Sequence, residues 1–161
     1  MTALVPILMG SRSDLAQAQA IAEALKTFDI TAEIRIGSAH KTPAHVLDIL
    51  KAYEADSRPK VYITIAGRSN ALSGFVDAQV SAPVIACPPL STTFAGADIY
   101  SSLRMPSGVA PAVVLEPTGA ALLAAKILAV GDPAIKARIM AYQRQLADTI
   151  VKDDNEVSGH A

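Results

Sequence analysis

Tryptophan is absent from this 161-residue chain, and three Phe and four Tyr supply all of its aromatic rings. With hydrophobic residues at 51% but aromatics at 4%, the core has to be built from Ala, Val, Ile and Leu. Such a core suits a parallel sheet covered by helices, whose strands read as short aliphatic runs. The shortage of rings also argues against a flavin site, which ordinarily stacks aromatic side chains on its cofactor. A single cysteine, Cys87, excludes an internal disulfide. No charge of either sign dominates, at 14 basic against 15 acidic residues, so nucleic-acid binding has no electrostatic footprint. No apolar stretch reaches the roughly 20 residues that span a bilayer. The first apolar run lacks a basic flank and stops at Gly10, unlike a signal peptide. The expectation is a soluble, cytoplasmic protein with no membrane or nucleic-acid partner.

Several chemical signatures are missing as well. The chain has no P-loop, no G-x-G-x-x-G fingerprint and no G-x-S-x-G elbow. ATP hydrolysis, nicotinamide chemistry and a serine nucleophile are therefore not expected. The histidines are His40, His45 and His160, with no metal-ligand spacing and no cysteine cluster beside them. No metal and no cofactor are expected.

What is present is alternation. Aliphatic runs at Ala3–Met9, Thr31–Ile36, Val61–Ala66, Val84–Ala86 and Ala112–Leu115 read as strands. Amphipathic stretches at Ser13–Phe28, Pro43–Asp56, Ala71–Gln79, Gly119–Val130 and Pro133–Lys152 read as helices. Pro43 and Pro133 stand where a first helical turn tolerates proline. The pattern predicts one domain over residues 1–161: a three-layer αβα sandwich around a parallel sheet, flavodoxin-like or Rossmann-like, with a C-terminal helical extension. The polar tail from Asp153 to Ala161 is expected to fray. Residues Ala120–Ala129 are apolar almost all round, which calls for cover on more than one side. In so small a domain the second cover is expected from another subunit, and the long last helix Pro133–Lys152, beyond the final strand, is expected to pack across a neighbour; a helix well buried within a monomer is the alternative.

In this architecture ligands bind beyond the carboxyl ends of the strands. After the first strand comes Gly10-Ser11-Arg12-Ser13-Asp14. A glycine turn with two hydroxyls before a helix can seat a phosphate on free N–H groups. Asp14 would repel that phosphate but can accept from ribose hydroxyls, so the stretch reads as a ribose 5-phosphate site. The competing reading is a simple helix cap. After the second strand comes Gly37-Ser38-Ala39-His40-Lys41-Thr42-Pro43. His40 is the natural proton carrier, with an unperturbed pKa of about 6.5, and Lys41 offers a fixed positive charge. After the third comes Ala66-Gly67-Arg68-Ser69-Asn70. Its guanidinium, hydroxyl and amide suit carboxylate and carbonyl oxygens, although Ser69 or Asn70 can equally cap the next helix. Cys87-Pro88-Pro89-Leu90 follows the fourth strand, with Cys87 read as a small packed residue.

These loops in this order resemble the PurE family of purine biosynthesis. The likeness covers Val5 to Ile150 and includes Ser101-Ser102-Leu103-Arg104-Met105-Pro106-Ser107-Gly108. Class I members of that family are mutases that move a carboxylate from N5-carboxyaminoimidazole ribonucleotide to the ring carbon. They carry Arg after the catalytic His and an Ala-Ala-His-Leu-Pro-Gly segment after strand three. Here Lys41 stands in place of the former, and Arg68-Ser69-Asn70-Ala71-Leu72-Ser73-Gly74 in place of the latter. Both departures match class II, which uses carbon dioxide directly and resembles the carboxylase half of the bifunctional animal enzyme.

The resemblance implies a phosphoribosylaminoimidazole carboxylase that converts 5-aminoimidazole ribonucleotide (AIR) and CO2 into 4-carboxy-5-aminoimidazole ribonucleotide (CAIR). It implies His40 as proton acceptor and donor, Ser11, Ser13 and Lys41 on the phosphate, and Asp14 on the ribose. Gly10 belongs to the same phosphate loop. Ser38, Gly67 and Ser69 would line the base and carboxylate pocket, and Arg68 would stabilise nearby negative charge. A homo-octamer with active sites at subunit boundaries is also implied. The nearest alternative is the class I mutase on the same scaffold. A non-enzymatic flavodoxin-like nucleotide-binding module is the alternative of a different kind.

Overall fold

The aliphatic run Leu4–Met9 forms strand β1, and all six of its residues are buried. A strand hidden on both faces needs helices on both sides of its sheet. The computed structural model, which describes residues 2–159, supplies them. Strands β2 (Thr31–Ile36), β3 (Tyr62–Ile65), β4 (Val84–Ala86) and β5 (Ala112–Val113) join β1 in a sheet of order β2-β1-β3-β4-β5. All four pairings are parallel. The helices are α1 (Leu15–Lys26), α2 (Pro43–Glu54), α3 (Ala71–Asp77), the short α4 (Tyr100–Leu103), α5 (Pro117–Leu128) and α6 (Pro133–Ser158). This is the expected αβα sandwich in the flavodoxin-like order.

The period of two in β1 divides the core. Val5, Ile7 and Met9 face one cluster with Ile21 and Leu25 of α1 and the alanines of α5. Leu4 and Leu8 face the other, with Val46, Ile49 and Leu50 of α2 and Leu72 and Val76 of α3. Ala120, Ala121, Ala124 and Ala125 are fully buried, and their small side chains let α5 lie close against α1. The all-round apolar character of α5 is thus answered largely within the chain, by α1, the sheet and α6.

Three expectations change. The first concerns the tail: α6 runs through Asp153 to Ser158 and ends at Gly159, which takes a left-handed φ of 73°. The tail's polarity suggested fraying. No helix breaker precedes Gly159, however, and Lys152 pairs with Glu156 one turn on, at 3.6 Å. His160 and Ala161 lie outside the described residues. The second concerns α1, which is preceded by a tight 3-10 turn at Arg12–Asp14 instead of starting at Ser13. The third is that α5 begins two residues early, with Pro117 in its first turn. In addition, the segment Thr93–Leu103, given no element by periodicity, forms 3-10 turns and α4.

A polar network closes the side of the sheet toward the start of β3. Tyr62 donates to Glu54 at 2.8 Å, Tyr53 donates to Glu33 at 2.9 Å, and Arg58 Nε donates to Asp56 at 2.8 Å. Hydrogen bonding from Arg58 holds the Asp56 carboxyl at about 2, and burial pushes both tyrosine hydroxyls up. These shifts belong to structural pairs at the end of the sheet away from the ligand-binding loops.

Candidate active site

The strand order creates a crevice. From β1 the chain crosses to β2 on one side, and from β3 it continues to β4 on the other, so the connections leaving β1 and β3 diverge. Pairing continues one residue past β1, where Gly10 N–H donates to Ile65 O at 2.9 Å. Above this point lies a cavity of about 510 Å³. The first three strand-end loops line it together: Gly10, Ser11, Ser13 and Asp14; Ser38, His40 and Lys41; Gly67, Arg68 and Ser69. All ten residues expected to carry catalysis or binding therefore line one cavity, whereas the Asn70 amide does not. His45, on α2, does not line it.

Gly10 has a role different from the sharp turn expected of it. It is not among the glycines with left-handed φ. A Cβ there would meet Ile65 O at 3.7 Å and Ala66 Cβ at 3.8 Å, which are ordinary contacts. The missing side chain instead keeps the cavity floor open between β1 and β3. Beyond it Ser11 is extended, and its N–H donates to Asp14 Oδ2 at 3.2 Å. The Ser11 and Ser13 hydroxyls bond to each other, and each reaches the Asp14 carboxylate at 3.3 Å. The capping reading and the binding reading thus use the same atoms. Asp14 holds its own loop together, while the two hydroxyls stay at the cavity surface.

The His40 loop is fastened from both ends. Ser38 N–H donates to Thr42 Oγ1 at 3.0 Å, Thr42 N–H donates to Ser38 O at 2.9 Å, and Lys41 N–H donates to Ser38 Oγ at 3.2 Å. Ser38 therefore shapes the loop as well as lining the cavity, and Thr42 is a fastening residue that sequence reading did not single out. The side chains of His40 and Lys41 are exposed and make no hydrogen bond or ion pair among the described residues. A rigid loop with free functional groups can meet a ligand without first breaking internal bonds.

The β3 loop is held by the segment after β4. Asn70 is buried: its Oδ1 accepts from Ser73 N–H at 3.2 Å, capping α3, while its Nδ2 donates to Ser102 Oγ at 2.9 Å. Asn70 N–H donates to Ser101 Oγ at 2.9 Å. Asn70 is thus a structural anchor, which leaves Ser69 and Arg68 exposed at the cavity. Arg68 has a left-handed φ of 62° and donates its N–H to Asp98 Oδ2 at 3.3 Å. Cys87 is fully buried, accepts from Gln17 Nε2 at 3.3 Å, and has its thiol pushed up by burial, so it is a packing residue and not a nucleophile. Gln17 also donates to Cys87 O at 2.9 Å, tying the start of the Pro88-Pro89 wall to α1. Pro89, Ser91, Thr93 and Asp98 complete the cavity. Sequence reading placed Pro89 in a ligand-side loop but missed Ser91, Thr93 and Asp98, because no periodic element marks the chain between β4 and β5. Among the described residues, no group of three His, Cys, Asp or Glu side chains is placed to hold a metal ion.

The AIR carboxylase family model matches residues 4–149, spanning every cavity-lining loop. The chain belongs to the AIR carboxylase family. It is 60% identical to the phosphoribosylaminoimidazole carboxylase of Treponema denticola over 98% of this chain and 99% of that one. Identity to the Archaeoglobus fulgidus protein of the same name is 54%, over 94% of this chain and 83% of the other. It is 41% to the human bifunctional phosphoribosylaminoimidazole carboxylase/phosphoribosylaminoimidazole succinocarboxamide synthetase, over 85% of this chain and 32% of that longer one. The crystal structure of Treponema denticola PurE superposes with a TM-score of 0.94 at 61% identity, covering 95% of this chain and 97% of the other.

Gly67 has a steric role that can be tested. A Cβ on it would lie 2.9 Å from Pro89 Cγ, closer than real side chains approach. Gly67→Ala should therefore force the Pro89 wall outward and destabilise the fold by about 1–3 kcal/mol. Denaturant unfolding measures this; an unchanged midpoint would mean that the wall yields without cost.

Proposed function

We propose that this chain is the ATP-independent carboxylase that adds CO2 to the ring carbon of AIR, giving CAIR in purine biosynthesis. The observation that carries this reading is the meeting of the His40, Lys41 and Arg68 side chains, which make no hydrogen bond or ion pair among the described residues, with the Ser11–Asp14 loop in one cavity of an AIR carboxylase family chain. Lys41 and Arg68-Ser69-Asn70 favour direct use of CO2 over the mutase reaction, since they stand where a mutase is expected to carry other residues. The carboxylase names of the Treponema and Archaeoglobus relatives support the same choice.

The chemistry needs few groups. The aminoimidazole ring is an enamine, and its amino lone pair makes the ring carbon nucleophilic. That carbon attacks CO2: a C–C bond forms, and one C–O π pair moves onto oxygen to give a carboxylate. The adduct carries both a proton and a carboxylate on one tetrahedral carbon, and the ring is no longer aromatic. His40 takes that proton, and the C–H electron pair restores the aromatic ring. In reverse, protonated His40 returns the proton and CO2 leaves. Ser11, Ser13 and Lys41 hold the phosphate, with Gly10 leaving room for the nucleotide. Asp14 exchanges its internal bonds to Ser11 and Ser13 for the ribose hydroxyls. Ser38, Gly67 and Ser69 line the base, and Arg68 stabilises the carboxylate as it forms.

The assembly proposed is a homo-octamer. After Tyr142 every described residue of α6 is exposed, including Leu146, Ile150, Val151 and Val157. Beside the cavity Leu90, Phe94, Tyr100 and Leu103 are also exposed. Copies of the chain covering these surfaces would shield the site from water, which strengthens the attraction between the Arg68 guanidinium and negative charge developing beside it. Among the described residues no helix is long and apolar enough to cross a membrane, and a cytoplasmic location fits the proposed pathway.

The purified chain, given AIR and bicarbonate with chelator and no ATP, should form CAIR. Turnover of only the N5-carboxylated nucleotide would reassign it as a mutase. His40→Asn should lower kcat by about 10²–10⁴-fold with nucleotide affinity nearly unchanged; near-normal turnover would remove His40 from the proton transfer. Light scattering at micromolar concentration should give the mass of an octamer, and a clean monomer would overturn the assembly.

A further inference from the structure

The backbone of Arg68 is held in a conformation its side chain disfavours. Non-glycine residues seldom take a left-handed φ, and when they do, the surroundings usually enforce it. At Arg68, with φ 62°, the backbone N–H donates to Asp98 Oδ2 at 3.3 Å. Asp98 is itself fixed: its carbonyl accepts from Ser101 Oγ at 2.7 Å, and Ser101 Oγ in turn accepts from Asn70 N–H at 2.9 Å. The β3 loop and the Asp98–Ser102 segment therefore grip each other on both sides of Ser69. The Asp98 carboxylate takes the backbone N–H and makes no ion pair with the Arg68 guanidinium, which is left free at the cavity.

We propose that Asp98 is a positioning residue for carboxylation, acting by holding Arg68 in its left-handed turn so that Gly67, the Arg68 guanidinium and Ser69 all face the cavity. This rests on the carboxylase reading above. Without the acceptor, Arg68 relaxes toward ordinary negative φ, and the guanidinium and the Ser69 hydroxyl turn away together. The nucleotide is anchored mainly by the Ser11–Asp14 loop on the β1 side, which Asp98 does not touch. Loss of Asp98 thus acts on the carboxylation step more than on nucleotide binding. The role needs an oxygen acceptor and not a charge, so asparagine can fill it.

The test compares D98A and D98N with the wild-type chain by kinetics and by hydrogen exchange of the segment containing Arg68. D98A should lower kcat by about 2- to 12-fold, the loss expected for one hydrogen bond, with KM for AIR nearly unchanged. It should also speed exchange of the Arg68 amide. D98N should restore both. An active D98A with unchanged kcat, or with unchanged Arg68 exchange, overturns the proposal. So does a D98N that behaves like D98A, which would put the charge in place of the acceptor. If the wild-type chain makes no CAIR from AIR and CO2, the carboxylase reading falls and the positioning role falls with it, an outcome visible before any variant is compared.

Discussion

Parallel pairing of β1 with β3 is the constraint on which the rest of the molecule depends. It joins Ile7, Leu8 and Met9 to Ile63, Thr64 and Ile65, and continues through Gly10 N–H to Ile65 O. At this seam the chain changes direction across the sheet, and two consecutive loop systems part. Any bulky residue at the start of the gap would fill it. Gly10 and Ala66 stand there, and the cavity exists because the two longest-buried strands end in small residues side by side. The aliphatic core under the seam makes the floor stiff, since nearly every side chain of β1 and β3 is fully buried between helices.

On that floor the loops divide their labour between holding and meeting. Ser38 and Thr42 hold, so His40 and Lys41 are free. Asn70 and Asp98 hold, so Ser69 and the Arg68 guanidinium are free. In the first loop the same groups do both, because Asp14 and the two serines bond to one another and also line the cavity. A ligand entering there exchanges internal hydrogen bonds for its own, whereas at His40 it breaks none. In the proposed reaction the Ser11–Asp14 loop binds the nucleotide together with Lys41, and the proposed proton carrier His40 and carboxylate-stabilising Arg68 stand on the β2 and β3 sides.

The outer surfaces carry a different message. α5 looked from its sequence like a helix in need of a partner subunit, yet its alanines are covered by α1 and the sheet. The uncovered apolar side chains lie elsewhere, on the far half of α6 and on the loop around Phe94 and Tyr100. Three consecutive left-handed residues, Phe94, Ala95 and Gly96, push that loop outward beside the cavity. Self-association that buries it would close the active site at the same time as it covers the helix.

The sandwich, the five strands and the gathering of His40, Lys41, Arg68 and the Ser11–Asp14 loop were all legible in the sequence. They depend on local signals: aliphatic runs of strand length, helical periodicity, and polar turn residues placed where strands end. The family motifs were legible for the same reason, as short continuous strings. The reach of α6 through Asp153 was misread because polarity and fraying look alike until the ends of a helix are seen. Tertiary structure alone decided the contacts between residues far apart in the chain. Asp98 meeting Arg68, Ser101 and Ser102 meeting Asn70, and Pro89 closing on Gly67 bridge separations that no periodicity records. It also decided that Gly10 takes no left-handed φ and lines the cavity floor, a placement set by the pairing of β1 with β3 and not by a local turn.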